Sequence, residues 1–165
     1  LVNYINKNDI RGDLVVFISS IVFLTLGGPR QIIALMFGYL YHISMGTGLA
    51  LLACLIASSF NYMTARFLLG TLLFRRFPKR MTKFNHFARR RPFFKILLLR
   101  LFPIGNNLMT NVLSGSVKVP TVAFFSASFL GYIPQTLIFA LMGAGIHSSS
   151  NNLIYLSIFL AVFST

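Results

Sequence analysis

Arg100-Leu101-Phe102-Pro103-Ile104-Gly105-Asn106-Asn107-Leu108-Met109-Thr110-Asn111-Val112-Leu113-Ser114-Gly115 is the stretch on which the fold of this chain turns. It follows the apolar run Phe93 to Leu99, so it begins by placing a guanidinium in hydrocarbon-like surroundings. An arginine at the bilayer centre costs about 2.5–3.5 kcal/mol even on lenient insertion scales, and such a residue usually faces a cavity or a partner. Pro103 removes a backbone donor and disfavours helix in the residue before it. The asparagines that follow compete for backbone groups. Interrupted backbone at membrane depth persists only where protein or water satisfies it. The spacing predicts an element that enters the bilayer and turns back, over about residues 93–117, rather than a simple span.

The rest of the sequence fits a bilayer. Of 165 residues, 56% are hydrophobic and 10% charged, where soluble domains carry about a quarter charged. That argues against an ordinary cytosolic enzyme. The net charge of +13 would suggest a nucleic-acid partner in a soluble protein, but the cations are clustered and the polar surface such a protein needs is missing. No nucleic-acid partner is expected. The single cysteine, Cys54, excludes an intrachain disulfide framework and reads as a small packing residue.

The charges divide the chain. Lys7, Asp9, Arg11 and Asp13 precede an uncharged stretch from Leu14 to Pro29. After Arg30, Gln31 to Ala65 carries no Asp, Glu, Lys or Arg for 35 residues, and Val119 to Thr165 none for 47. A span needs about 20 apolar residues, so 35 is too long for one and too short for two with a loop. Gly38, Gly46 and Gly48 suggest a break around Tyr41-His42-Ile43-Ser44: a half-depth hairpin over about residues 29–42, then a full span from about Met45 to Leu69. Leu14 to Gly28 reads as a crossing segment without the basic flank and A-x-A site of a secretory signal. Another span runs from about Pro120 to Gly145, and a final helix over 150–165 is cut short. A chain that opens on Leu1 and closes at Thr165 within an apolar run reads as part of something longer. The expectation is one all-α membrane domain over 1–165: a first half at 14–70, a basic amphipathic segment at 71–92, and a second half at 93–147. Both halves read as an apolar segment, a Pro/Gly break, a half-depth element and a long span. Gly28-Pro29 corresponds to Phe102-Pro103 and Gly38 to Gly115, which is the inverted-repeat plan of many transporters.

Nine of the fifteen cations lie between Arg75 and Lys95. Phe74, Phe77, Met81, Phe84 and Phe87 recur every three or four residues among them, as on an interfacial helix. Arg75, Arg76, Lys79, Arg80, Lys83, Arg89, Arg90 and Arg91 either meet anionic lipid headgroups, at about 1 kcal/mol each, or only fix topology while the aromatics pack on the protein. Positive loops stay cytosolic. Counting two spans back from this segment puts the N-terminus on the same side.

No metal or hydrolase constellation is visible, and His42, His86 and His147 fall in expected loops or interfaces. No cofactor and no enzymatic activity are expected. Arg100 awaits an anion such as a lipid phosphate, which arginine grips in a bidentate fork; otherwise it snorkels or caps carbonyls. Asn107 and Asn111, four apart on one helical face, either bond a headgroup or satisfy the broken backbone. Arg66 snorkels at the end of its span, and Arg30 marks an interface or the mouth of the first half-depth element. The pairs Ala53/Ala57 and Ala127/Gly131 let helix backbones approach, within the monomer or in a homo-oligomer.

The run from Arg100 to Gly115, continuing through Val119-Pro120, Phe124 and Gly131-Tyr132-Ile133-Pro134 to Gly143, resembles the second half of the DedA superfamily, in its VTT-domain (SNARE-associated Golgi protein) branch. Gly28-Pro29, Phe37-Gly38, Gly46 and Arg66 agree with the first half. The resemblance covers about residues 25–145. It implies two opposed re-entrant hairpins in a multi-pass membrane protein, of bacterial inner-membrane (plasma-membrane) type, and activity in lipid scrambling or in translocating lipid-linked phosphates. Arg100 matches a family arginine of the second re-entrant region. The family's acidic residues near the first re-entrant element have no counterpart at Gly28-Pro29-Arg30, which favours passive lipid movement over proton coupling. The expected function is a lipid translocator, a scramblase or flippase of phospholipid or polyprenyl-phosphate type, acting on anionic membrane lipids. Its candidate site is Arg100, Pro103, Asn107, Asn111, Gly28 and Pro29. Transport of a small anionic or hydrophilic solute, and a non-transporting scaffold, are the alternatives.

Overall fold

Left-handed residues mark where the chain changes direction: Gly27 (φ 96°), His42 (φ 61°), Arg91 (φ 56°) and Lys118 (φ 56°). The computed structural model describes residues 10–101 and 106–147, so Pro103 and the final helix expected over 150–165 lie outside it. The helices are α1 Ile10–Thr25, α2 Arg30–Thr64, α3 Gly70–Arg76, α4 Pro78–Arg89, α5 Pro92–Leu101, α6 Asn107–Ser116 and α7 Thr121–His147. A π-helical turn, Ala65–Leu69, joins α2 to α3. The described residues contain no strand.

At Gly27 the amides of Gly27 and Gly28 donate to the carbonyls of Leu24 (3.1 Å) and Phe23 (3.0 Å), the double closure that ends a helix on a left-handed residue. Pro29 then caps α2 in extended conformation. The chain doubles back: the Tyr41 hydroxyl donates to Asp13 Oδ1 at 2.5 Å, so the start of α1 lies beside the end of the 30–41 arm. At His42 α2 breaks. A Cβ on Gly46 would run into the Phe37 carbonyl and lie 2.9 Å from Gly38 Cα. Residues nine apart cannot touch so in a continuous helix rising 1.5 Å per residue, so the 43–64 arm returns along the 30–41 arm. The break expected around Tyr41 to Ser44 is therefore present, but it falls on a histidine; Gly38 and Gly46 serve the close crossing instead.

α6 ends like α1, with the amides of Lys118 and Val119 donating to Gly115 (2.9 Å) and Ser114 (3.0 Å) carbonyls. The short arms pack crosswise. Gly38 of the 30–41 arm lies on the α7 backbone at Ala140, and Gly143 of α7 faces the Leu35 carbonyl and the Tyr39 nitrogen. Gly115 of α6 lies on the Tyr62 carbonyl and the Arg66 nitrogen at the end of α2.

Among the described residues two stretches are long and apolar enough to cross a membrane, Arg30–Arg76 and Thr121–His147. The 43–64 arm alone measures about 33 Å and α7 about 40 Å, against hydrocarbon about 30 Å thick. Apolar side chains lie on both the inside and the outside: Phe37, Tyr62 and Phe124 are fully buried in the core. Leu52, Phe60, Leu68, Val122 and Leu130 point outward, while Arg100, Asn111, Ser114, Ser128 and Thr136 are buried. Hydroxyls such as Ser20, Thr47, Ser59 and Ser116 donate to the carbonyl four residues back, which satisfies them where water is absent.

The structure refines the reading of three segments. The segment expected to cross from Leu14 to Gly28 is α1, whose described residues Ile10–Thr25 cover about 24 Å. Its described start lies by Tyr41, at the opposite end of the 43–64 arm from Arg66 and the basic helices. His147 closes α7 rather than sitting in a loop, with its ring 5.2 Å from His42 and 5.0 Å from Tyr39. The basic segment forms α3 and α4, where Phe77, Met81, Phe84 and Phe87 line an apolar groove with Leu73 and Met109.

Candidate anion site

Arg100 sits in the last turn of α5 and is 4% exposed. Its stem lies against Gly131, where any Cβ would collide with Arg100 Cβ. The sequence supplies its partners at helical spacing. Nη1 donates to Asn107 Oδ1, Nη2 to Asn111 Oδ1 (2.5 Å), and Nε and Nη2 to Ser128 Oγ (3.3 and 3.1 Å). Asn106 has a different task, accepting from the Leu108 amide to cap α6. Of the two readings of the asparagines, the capping of interrupted backbone is seen at Asn106, while Asn107 and Asn111 accept from Arg100. The guanidinium carbon lies 4.7 Å from the Tyr132 ring centroid and 5.5 Å from that of Phe124, a favourable cation–π distance.

Arg30, the first residue of α2, comes to the same ring from the other tip of the fold. Its guanidinium carbon is also 4.7 Å from the Tyr132 centroid. Its Nη2 donates to Gln135 Oε1 and, at 3.4 Å, to the Arg100 carbonyl. Its Nη1 is buried and has no hydrogen-bond partner among the described residues. Tyr132 is held in turn: its hydroxyl donates to Asn107 Oδ1 (2.8 Å) and shares a 2.6 Å hydrogen bond with Ser58.

Two guanidiniums therefore meet in the interior with no carboxylate beside them. Asp13, the one acid among the described residues, is engaged with Tyr41. Burying a charge without a counter-charge is costly, and an anion between the two cations would relieve that cost. Space exists: a cavity of about 240 Å³ is lined by Gly28, Pro29, Arg30, Arg100, Asn107, Thr110 and Gln135.

Of the residues expected from sequence, Arg100, Asn107, Asn111, Gly28 and Pro29 converge here, while Pro103 lies outside the described residues. Arg75, Arg76, Lys79, Arg80, Lys83, Arg89, Arg90 and Arg91 are exposed on or beside α3 and α4, away from the cavity. Arg66 Nη1 donates to the Tyr62 hydroxyl (2.5 Å) and the Val119 carbonyl (3.1 Å). Sequence reasoning missed Ser128, Tyr132 and Gln135. Their spacing of four and three, inside a charge-free run, places them on one face of α7, and that was the available signal. Arg30, expected at an interface or at the mouth of the first half-depth element, lines this cavity beside Gly28 and Pro29; its place after a Pro break is the sequence signal for its pairing with Arg100.

No solved structure matches the chain. It is 25% identical to transmembrane protein 41B of Pongo abelii, over 92% of this chain and 56% of that protein. It is 28% identical to transmembrane protein 41B of Danio rerio, over 92% of this chain and 58% of that protein. The chain thus spans little more than half the length of these curated relatives. The model of the VTT domain matches residues 28–145, which take in the Arg30 and Arg100 tips and both long helices. On that match the chain belongs to the VTT-domain family of DedA-type membrane proteins.

Proposed function

We propose that this chain translocates lipids bearing phosphate headgroups, phospholipid or polyprenyl phosphate, with the phosphate received between Arg30 and Arg100. The observation that carries the reading is the buried, unpartnered Arg30 Nη1 at a cavity that already holds a second guanidinium. Arginine offers phosphate a planar donor fork. Arg100 has hydrogen bonds from Nε, Nη1 and Nη2, so it supplies charge while Arg30 supplies the open donor.

The architecture we propose is two re-entrant hairpins in an inverted repeat. α1 with the 30–41 arm enters from one side, and α5 with α6 enters from the other. Their inner ends, at Gly28-Pro29 and at Arg100, approach at mid-depth. The close seating of Gly38 on α7 and Gly115 on α2, and a positive-φ residue at the end of each short arm, His42 and Lys118, support this pairing. The basic helices α3 and α4 then face the cytosol by the positive-inside rule, in a cell membrane of the bacterial inner-membrane type or its equivalent. The start of α1 lies on the other side.

A cavity of 240 Å³ falls below the roughly 300–1,000 Å³ of sites that enclose a whole small molecule. It suits a single phosphate group whose remainder stays in the bilayer, which favours a lipid over a soluble anion. Headgroup translocation in reconstituted vesicles tests this. Arg30→Gln should slow translocation by about tenfold or more, the loss of one charge-assisted contact. Unchanged lipid flux beside impaired uptake of a soluble anion would instead establish the solute reading.

A further inference from the structure

A second cleft, about 750 Å³, opens at the other end of α2. Arg66, Arg89 and Lys118 line it, with Asn85, Thr71 and Ser116 as uncharged polar neighbours and no acidic residue. It is closed off from the Arg30–Arg100 cavity by an aromatic pair: Tyr62 and Phe124, both fully buried, stack with centroids 4.4 Å apart. Arg66 lies over Tyr62 on one side (5.7 Å) and Arg100 over Phe124 on the other (5.5 Å).

Arg66 is fixed through its side chain, while Arg89 and Lys118 are exposed. Arg66 Nη1 donates to the Tyr62 hydroxyl and the Val119 carbonyl, which anchors it to the turn that ends α6. Lys118 occupies the left-handed position of that turn, φ 56°, with its amide donating to Gly115. Glycine ordinarily fills this position because a Cβ is strained there. A strained lysine at the wall of a cationic cleft is an outlier that the turn itself does not require. The opposite residues of α3, α4 and α6 (Leu73, Phe77, Phe84, Phe87, Val112 and Leu113) line an apolar groove, so the same three helices offer polar and apolar surfaces side by side.

We infer that the Arg66–Arg89–Lys118 cleft is a second phosphate site, one that holds the headgroup of an anionic lipid at the basic face. It is separate from the site of translocation and does not depend on lipid crossing the bilayer. The test reads binding alone. The full chain in mixed micelles of phosphatidylglycerol and phosphatidylcholine is taken into native mass spectrometry, and the retained lipids are measured for wild type, Lys118→Gly, Lys118→Gly/Arg89→Gln and Arg30→Gln. Lys118→Gly suits the left-handed turn, so its melting temperature should equal or exceed wild type while phosphatidylglycerol retention falls about fivefold, the share of one cation near a headgroup. The double variant should lose a further step of similar size, and Arg30→Gln should retain lipid at this cleft. Undiminished phosphatidylglycerol retention in the stable Lys118→Gly and double variants would overturn the inference, as would equal loss of phosphatidylcholine. Excess inorganic phosphate distinguishes the sources: displacement of the lipid from wild type shows a cleft that takes any phosphate, and persistence shows one that takes the lipid.

Discussion

Arg30 and Arg100 share a ring and differ in how they are satisfied, so they should fail differently. Arg100 organises Asn107, Asn111 and Ser128 across three elements. Arg100→Ala leaves these buried groups unpaired, and hydrogen bonds to a charged group are worth about 1.5–3 kcal/mol each. The expected result is a destabilisation on the order of 3 kcal/mol by thermal unfolding in detergent, with translocation lost as a consequence. Arg30→Gln gives up the Nη2 bonds to Gln135 and the Arg100 carbonyl together with the unpartnered Nη1, and it removes one of two like charges. It leaves fewer buried groups unpaired than Arg100→Ala, so its destabilisation should be smaller, about 1–2 kcal/mol, while headgroup flux falls. If Arg30→Gln unfolds the protein as readily as Arg100→Ala, the open donor at Arg30 is structural and the site has been misassigned. The Arg100 half of this site is legible in sequence because its cation and its amide acceptors follow one another at helical spacing across one break. Tyr132 and Gln135 were hidden because nothing in a charge-free helix says which face meets a distant tip.

Among the elements, α2 shows where composition misleads. Three glycines near its middle look like helix breakers, yet the turn is made by His42 at φ 61°. The glycines do unlike jobs. A Cβ on Gly38 would enter the Ala140 backbone, and one on Gly46 the Phe37 carbonyl, while one on Gly48 meets nothing within 4 Å. Gly38→Ala should therefore cost about 1–3 kcal/mol by overpacking the crossing with α7, since backbone cannot step aside as a flexible side chain can. Gly48→Ala should be neutral or stabilising by up to about 1 kcal/mol, because alanine is the better helix former. Thermal unfolding of the two variants in the same detergent checks the pair. Equal effects would mean the crossing is looser than its backbone contacts indicate. Sequence patterning found the long helices because hydropathy follows length directly. It could not separate a glycine that turns the chain from one that admits a neighbouring backbone, since the two leave the same mark on the sequence.

At the scale of the whole molecule, the proposed topology turns on whether α1 and the 30–41 arm form a re-entrant pair. The helix ends on the left-handed Gly27 and the chain returns through Pro29, which brings Asp13 to Tyr41. On the re-entrant reading proposed above, Arg11 and Ser44 belong to one face of the membrane and Thr82 of α4 to the other. Counting full spans gives the alternative arrangement, because an apolar run by itself gives no sign of whether its path reverses midway. Replacing the single cysteine (Cys54→Ser) and introducing Arg11→Cys, Ser44→Cys or Thr82→Cys one at a time gives a direct measurement with a membrane-impermeant thiol reagent in sealed vesicles. Arg11→Cys and Ser44→Cys should label from the same side, and Thr82→Cys only after the vesicles are opened or inverted. Were Arg11→Cys to label together with Thr82→Cys, α1 would be a complete crossing. The two tips would then no longer approach from opposite faces, and the Arg30–Arg100 cavity would lose the geometry that lets a headgroup reach it from either leaflet.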